Sequence, residues 1–404
     1  MHILYLTDYF YPEVTAGAYR AYEHAKVWKQ QGDKVTVLTS IPNFPFGKHY
    51  PGYESLNRSQ EELSGVKVIR IPTYMAPNEG VYRRTIDFLS YGVSSVMEGV
   101  NHRPDVILAS SPHLFTTGAG YILSRLLDVP WVFELRDLWP ESIQAVGALN
   151  NSSLIKWLTN YEMFLYHHSQ LIVCNTEGLQ YDIVSRGIDV HKTLFIPNGV
   201  DINAFDIPDW KKTKKISTEL GLENKFVVGY IGTIGMAHGL DFIVKAVSEL
   251  ETKGVHLLLI GEGAEKEPLK KLVATRQINN VTFVDNIPKR ELMTWYDACD
   301  IALVNLKKHD TFTKSLPSKI FDIGACKKPI LLGIDGEARS LIEKFEAGIY
   351  FEPENEIDFH EKINYCMKNP HELKKMSENA YILAGQFRRE DLAIRMRKSM
   401  HSLI

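Results

Sequence analysis

The chain has 404 residues, a net charge of −3 and the apolar and charged fractions of an ordinary globular protein. That length exceeds one average core and suits two domains of roughly 180–200 residues. The charge excludes a global nucleic-acid surface. Four scattered cysteines (Cys174, Cys299, Cys326, Cys366) form no CxxC metal framework and fit free thiols in a reducing compartment.

The opening "MHILYLTDYF" reaches Asp8 after a short apolar stretch, so it reads as a strand rather than a signal peptide. No apolar run approaches the ~18 residues of a membrane span. The expectation is a cytoplasmic protein, peripheral on the cytoplasmic membrane face at most. Further strands follow at "KVTVLT", "VKVIRIP", "DVILAS", "PWVFEL", "LIVCN" and "TLFIPN". Ala18, Ala21, Tyr22, Ala25 and Trp28 mark one face of a helix between the first two, and Gly32 stops it. Near-continuous apolar strands separated by helices imply a parallel sheet covered on both faces. The pattern restarts with "FVVGYIG", "HLLLIG", "VTFV", "DIALVN", "PILLG" and "GIYF", after a polar, aperiodic linker, "GVDINAFDIPDWKKTKK". The fold class is therefore α/β, with two doubly wound Rossmann-like domains, 1–200 and 201–382. A helical tail over 383–404 is placed to run back to the first domain. Such sheets bind ligands beyond the carboxyl ends of their strands, and two of them face each other across a cleft.

The strand-end loops are therefore the candidates. After the first strand, Gly17 precedes a helix whose amides approach a ligand, and Arg20 follows on its first turn; the alternative is a glycine that merely relieves a turn. After the second, "SIPNFPFGKHYPGYES" carries Phe44, Phe46, Tyr50 and Tyr53 among prolines and glycines. These rings either meet a lipid-bearing substrate or the membrane interface, or fold back on the domain. The helix "VYRRTIDFLSYGVSSVMEGV" is a weaker candidate for the same surface. His113 in "SSPHLF" follows a strand and is a candidate acceptor contact. In "ELRDLWPES", Arg136 and Asp137 end an apolar strand, where arginine clamps phosphate and the carboxylate orients it; a loop-pinning salt bridge is the alternative.

In the second half, "GYIGTIGMAHGLDF" surrounds a strand-to-helix turn with Gly229, Gly232, Gly235 and Gly239, and His238 opens the helix. The turn offers amides at the positive end of a helix. Gly263 marks a second glycine turn, and the loop around Ile287 exposes backbone suited to a base edge. Finally, "KSLPSKIFD" puts Pro317 at a suitable first helical position, with Ser318 and Lys319 in the first turn and Lys314 just upstream. Lysine is unfavourable at a helix N-terminus unless an anion joins it. Asp322, on the same face, completes a site for a diphosphate beside vicinal hydroxyls, as in a nucleotide sugar.

Taken together, the glycine at 17, "RDLWPES", "IPNGVD", "GTIGMAHGL", "GEG" and "LPSKIFD" resemble the family 4 retaining glycosyltransferases of the GT-B fold, over essentially the whole length. The look is nearest to bacterial polysaccharide enzymes of the L-fucosamine transferase type. The resemblance implies a donor domain in the second half and an acceptor domain in the first. It implies catalytic roles for Arg136, Asp137 and Lys319, with ribose held by Asp322. The remaining donor contacts are Gly17, Arg20, Gly235, His238, Gly263, Ile287, Lys314, Pro317 and Ser318, and the acceptor contacts are Phe44, Phe46 and His113. The chain departs from the family in three places: Lys314 replaces the first donor-site glutamate, Met236 and His238 stand near the usual Arg and Lys, and Arg136 replaces the histidine before Asp137. The expected donor is a UDP-sugar, moved without metal or other cofactor, since no Asp-x-Asp ends a strand. The expected acceptor is a lipid-linked saccharide. Rival readings are a nucleotide-sugar 2-epimerase and a non-catalytic nucleotide-sugar-binding subunit; a nicotinamide oxidoreductase lacks its GxGxxG.

Overall fold

The computed structural model describes residues 1–13, 15–54, 58–77, 81–141, 144, 151–205 and 208–404. Ser142 of "RDLWPES" and residues 206–207 of the linker lie outside the described residues. The chain forms two compact units, Met1–Asn198 with Arg389–Ile404, and Gly199–Arg388.

The first unit is built on β1 (His2–Leu6), β2 (Lys34–Ser40), β3 (Ser59–Leu63), β4 (Val66–Ile71), β5 (Val106–Ser110), β6 (Trp131–Leu135), β7 (Leu171–Cys174) and β8 (Thr193–Phe195). Their order is β3-β4-β2-β1-β5-β6-β7-β8, parallel except for β3 against β4. β3, "SQEEL", carries no apolar run and was not expected as a strand: an edge strand needs only one partner and one covered face. Among the described residues, the unit's α-helices are α1 (Ala16–Gln30), α2 (Val81–Gly99), α3 (Leu114–Leu127), α4 (Ser152–His168) and α5 (Glu177–Ser185). Because side chains alternate along a strand, Ile3 and Tyr5 enter one core while Leu4 and Leu6 enter the other. Tyr91 of α2, Leu123 of α3 and Leu158 of α4 cover the Leu4 face, and Ala21, Ala25 and Trp28 of α1 cover the Ile3 face.

The second unit holds β9 (Phe226–Ile231), β10 (Val255–Ile260), β11 (Val281–Val284), β12 (Ile301–Asn305), β13 (Ile330–Gly333) and β14 (Gly348–Tyr350), all parallel, in the order β11-β10-β9-β12-β13-β14. Its helices are α6 (Trp210–Glu219), α7 (Leu240–Ser248), α8 (Lys266–Thr275), α9 (Leu292–Asp297), α10 (Lys319–Ala325), α11 (Glu337–Phe345), α12 (Glu356–Lys368) and α13 (Pro370–Gln386). The final helix, α14 (Arg389–His401), returns to the first unit. Its Ala393, Met396 and Met400 join the Ile3 core, and the Trp28 indole donates to the Ala393 carbonyl at 2.8 Å.

Each sheet has one place where the strand order turns back, between β1 and β5 in the first and between β9 and β12 in the second. There the following connections diverge to opposite sides and leave a crevice at the strand ends. Gly17, Arg20 and His113 follow β1 and β5, and Gly235, His238 and residues 314–322 follow β9 and β12.

Candidate functional site

In the second unit, Tyr230 near the end of β9 is buried, and its hydroxyl donates to the Thr233 carbonyl at 2.6 Å. That bond fixes the ring as a platform. Lys319, the first residue of α10 after β12, lays its Nζ 3.6 Å from the ring centroid. This is cation–π geometry, worth roughly 0.5–2 kcal/mol. The Nζ is screened from solvent and makes no hydrogen bond. Burial pulls the Lys319 amine down to about 7, against the opposing pull of the Asp322 carboxylate. His238 stands edge-on to Tyr230, 5.9 Å between centroids, and burial and the Lys319 charge hold it at about 3, so it is neutral. Its Nδ1 faces the Gly235 backbone at 3.2–3.3 Å, and Asn305 at the end of β12 holds its carbonyl at 2.8 Å. The result is a shielded ammonium with no bonded anion, among small residues: a Cβ on Gly232 would lie 3.1 Å from Nζ.

The structure thus brings Gly235 and His238, on the turn after β9, near Lys319 and Asp322, in the first turn of α10. Pro317 and Ser318 lie alongside, but the helix begins at Lys319, later than expected. Ser318 already has helical torsions (φ −58°, ψ −27°), and its hydroxyl caps nothing. Lys314 ends the short turn Asp310–Lys314 and is half-buried. Gly263 serves the scaffold: a Cβ there would sit 2.2 Å from the Ile234 carbonyl, because this loop packs backbone to backbone on the turn after β9. The Ile234 amide donates to the Glu262 carbonyl at 2.8 Å across the same seam. Ile287 packs its side chain against the core. Beside it, buried Lys266 ties Asp285 to Glu262, each at 2.6 Å.

In the first unit, Arg136 lies over Gly17. A Cβ on Gly17 would come within 1.9 Å of its Nη1, which explains the glycine better than turn strain does. The Arg136 amide is held by Ser111 Oγ at 2.9 Å, and its Nε is shielded without a partner. Asp137 is exposed. His113, at the cap of α3, stacks on Phe88 at 3.6 Å and points Nε2 at Asp8, 3.8 Å away. Burial, Arg84 and Arg136 together hold the imidazole at about 3.

One expectation requires correction. Arg20 does not face a ligand: at 1% exposure it pairs with Glu134 at 2.8 Å and the Pro197 carbonyl at 2.6 Å inside the core. An arginine on the first turn of a helix facing the sheet finds its carboxylate on β6, a partner distant in sequence. Of the two readings left open for the aromatic loop, folding back on the domain describes most of it. Tyr50 donates to the Phe44 carbonyl, Phe44 leans on Tyr9 and Tyr53 lies under Arg70. Phe46, 63% exposed, points outward.

Residues 17–204 match the family model "Glycosyltransferase Family 4", and residues 212–382 match "Glycosyl transferases group 1". The chain is a glycosyltransferase of the GT-B fold. It is 23% identical to the putative colanic acid biosynthesis glycosyl transferase WcaI of Escherichia coli (strain K12), over 80% of this chain and 81% of that protein. It is 24% identical to the probable glycosyltransferase WbjE of Pseudomonas aeruginosa, over 57% of each. Among solved structures, Anabaena Alr3699/HepE in complex with UDP-glucose superposes with a TM-score of 0.74 at 19% identity, covering 100% of both chains. Sucrose-phosphate synthase from Thermosynechococcus elongatus reaches 0.80 at 15% identity, over 100% of this chain and 99% of its own.

Sequence reading of this glycosyltransferase missed Tyr230 and Asp8. Asp8 follows β1 directly, so the strand-end rule that selected Arg136 also selects it. Tyr230 looks like any buried strand aromatic, and only its contact with Lys319 marks it.

Proposed function

We propose that this glycosyltransferase moves a sugar, with retention of anomeric configuration, from a UDP-sugar to a hydroxyl of a lipid-linked saccharide. The setting is bacterial surface polysaccharide synthesis, of the capsule, O-antigen or exopolysaccharide kind, at the cytoplasmic membrane face. The observation that carries the reading is the shielded, unbonded Lys319 ammonium on Tyr230 at the strand-order reversal of the second unit. A shielded lysine nitrogen without a hydrogen-bond acceptor is costly, and a bound anion supplies what Tyr230 and Asp322 do not. In the reaction, the bond from the anomeric carbon to the β-phosphate oxygen breaks and its electron pair leaves with UDP. The acceptor oxygen then bonds to the anomeric carbon and gives its proton to the departing β-phosphate oxygen. Lys319 meets the charge growing on the departing diphosphate, Asp322 holds the ribose hydroxyls, and the turn at Gly235 presents amides to phosphate. Neutral His238 accepts or donates a hydrogen bond without competing for the anion.

In the first unit, Arg136 seated on Gly17, with Asp137, His113, Phe44 and exposed Phe46, forms the acceptor-side machinery. Lys319 supplies the cation that a metal supplies elsewhere, so chelators leave the rate unchanged. The UDP-bound and UDP-glucose-bound Anabaena structures support a uridine donor, and the names of the two bacterial relatives support the polysaccharide setting. Resemblance supports an N-acetylated amino sugar, L-fucosamine type foremost.

A thermal-shift panel of UDP-glucose, UDP-N-acetylglucosamine, UDP-N-acetyl-L-fucosamine and GDP-mannose tests the donor. A ligand at 100 times its Kd adds about 2.7 kcal/mol, so the preferred donor stands out. NMR of the anomeric proton in the product reads retention. Stabilisation by GDP-mannose alone, or an inverted product, refutes the proposal.

A further inference from the structure

Lys266 opens α8 much as Lys319 opens α10, and its side chain is only 4% exposed. The likeness ends there. The Lys319 Nζ makes no hydrogen bond, whereas all three N–H donors of Lys266 are taken. Its Nζ donates to Glu262 and to Asp285 at 2.6 Å each, and to the Val284 carbonyl at 3.3 Å. Burial works against the Lys266 charge, and the bonds to Asp285 and Glu262 outweigh burial and hold the ammonium above its ordinary range. A lysine is unfavourable at the positive end of a helix, and here the protein supplies the anions itself. Lys266 is complete without a ligand, so its effect lies in what it holds.

Its partners belong to different strand ends. Glu262 lies in the loop after β10, and Asp285 directly follows β11. The β10 loop forms one body with the turn after β9. The Glu265 amide donates to the Ile234 carbonyl at 3.0 Å, and a Cβ on Gly261 would strike the Gly232 carbonyl. The loop after β11 is held more lightly. Asp285 and Asn286 are exposed, while Ile287 seats its side chain against the core. Among the described residues, no hydrogen bond reaches the backbone N–H or C=O of Asn286 or Ile287. The Asp285 side chain is 90% exposed, and its bond to Lys266 ties this loop to the β9–β10 body.

We propose that Lys266 is the positioning residue for nucleobase selection, fixing the backbone of Asn286 and Ile287 against the imide edge of uracil. β11 stands two strands from β9, roughly 10 Å across the sheet. That is the reach of a nucleoside from a phosphate at the β9 turn to the far edge of its base. Uracil presents an N–H between two carbonyls, which a backbone carbonyl and a neighbouring amide match without any side chain. A purine extends further from the same ribose, so a loop bolted at the pyrimidine distance excludes it. The inference rests on the uridine-donor reading for its ligand, and its test separates the two.

The test is titration calorimetry of the full chain with UDP, GDP and ADP. Native protein is expected to prefer UDP by roughly tenfold or more. Asp285→Ala removes the exposed end of the tie and leaves Lys266 bonded to Glu262, so the fold is unharmed. Its UDP affinity should fall about fivefold or more, with ADP affinity changed by less than about twofold. Lys266→Met should erode the preference at least as far. The double variant should match Lys266→Met, because the two side chains act as one. Asp285→Ala with the native UDP preference overturns the proposal. So do variants in which UDP, GDP and ADP weaken together, which assigns Lys266 to the scaffold alone. Native protein that prefers GDP, with that preference lost in the variants, sinks the uridine reading and leaves Lys266 in its role. Native protein with no base preference overturns both.

Discussion

Lys319 offers a sharp test, because its proton responds to an anion. In the free protein the amine sits near 7, well below its ordinary value of 10.5. A diphosphate bound beside it favours the charged form and restores a high value. With the free amine at about 7, only about a tenth of it is charged at pH 8 and about nine-tenths at pH 6. Binding therefore takes up about 0.9 proton at pH 8 and about 0.1 at pH 6. The same linkage weakens affinity about tenfold between pH 6 and pH 8, or ~1.4 kcal/mol. UDP-glucose is the right probe, since its doubly esterified diphosphate has no ionisation near neutrality, and His238, held at about 3, is silent there. Titration calorimetry in buffers of different ionisation enthalpy counts the protons. Lys319→Met should abolish the uptake and flatten the pH profile. The stability sign follows from the same shift. A lowered lysine costs nothing above its unfolded pKa, and the penalty grows as pH falls, complete below about 7. Lys319→Met should therefore raise unfolding stability near pH 7 by about 1–2 kcal/mol while kcat falls roughly 10²–10³-fold. Native protein that takes up no proton at pH 8, or a methionine variant that takes up as many, refutes the reasoning.

Three further outcomes follow from the geometry. Arg136→Ala should lower kcat about 10²–10³-fold with folding intact. Gly17→Ala pushes a methyl into the Arg136 guanidinium, the movable end of a long side chain, so urea unfolding should change by less than about 0.5 kcal/mol. Its kcat should nevertheless fall nearly as far as that of Arg136→Ala, and the double variant should be no worse than the arginine variant alone. Gly263→Ala meets backbone instead, the Ile234 carbonyl, at positive φ (154°), and should cost about 1–3 kcal/mol of stability together with weaker UDP-glucose binding. A Gly263→Ala protein with native stability would mean the two glycine loops are not in contact in solution.

The parallel strands were legible because burial on both faces leaves unbroken runs such as "HLLLIG" and "PILLG". β3 was not, since its residues face solvent on one side and its order comes from β4. Among the candidates, the strand-end rule singled out Arg136, Lys319 and Asp322, because charge at the mouth of a parallel sheet has few structural uses. It failed on Arg20, whose neutralising partner Glu134 lies 114 residues away in the sequence. It failed on Gly263 for a related reason: a glycine excluded by another loop looks the same in one dimension as a glycine opened to a phosphate.

The return of α14 to the first unit has a consequence for synthesis. Leu392, Ala393, Met396 and Met400 fill one of the two cores of the amino-terminal half, and Arg397 bonds Asp33 at 2.5 Å. Until α14 has been made, the core beside α1 lacks these four side chains, and α14 follows the whole of the second unit in the chain. The usual vectorial order, in which a leading domain completes its core before the trailing one is made, is thus closed to this fold, because a segment that follows the second unit belongs to the core of the first.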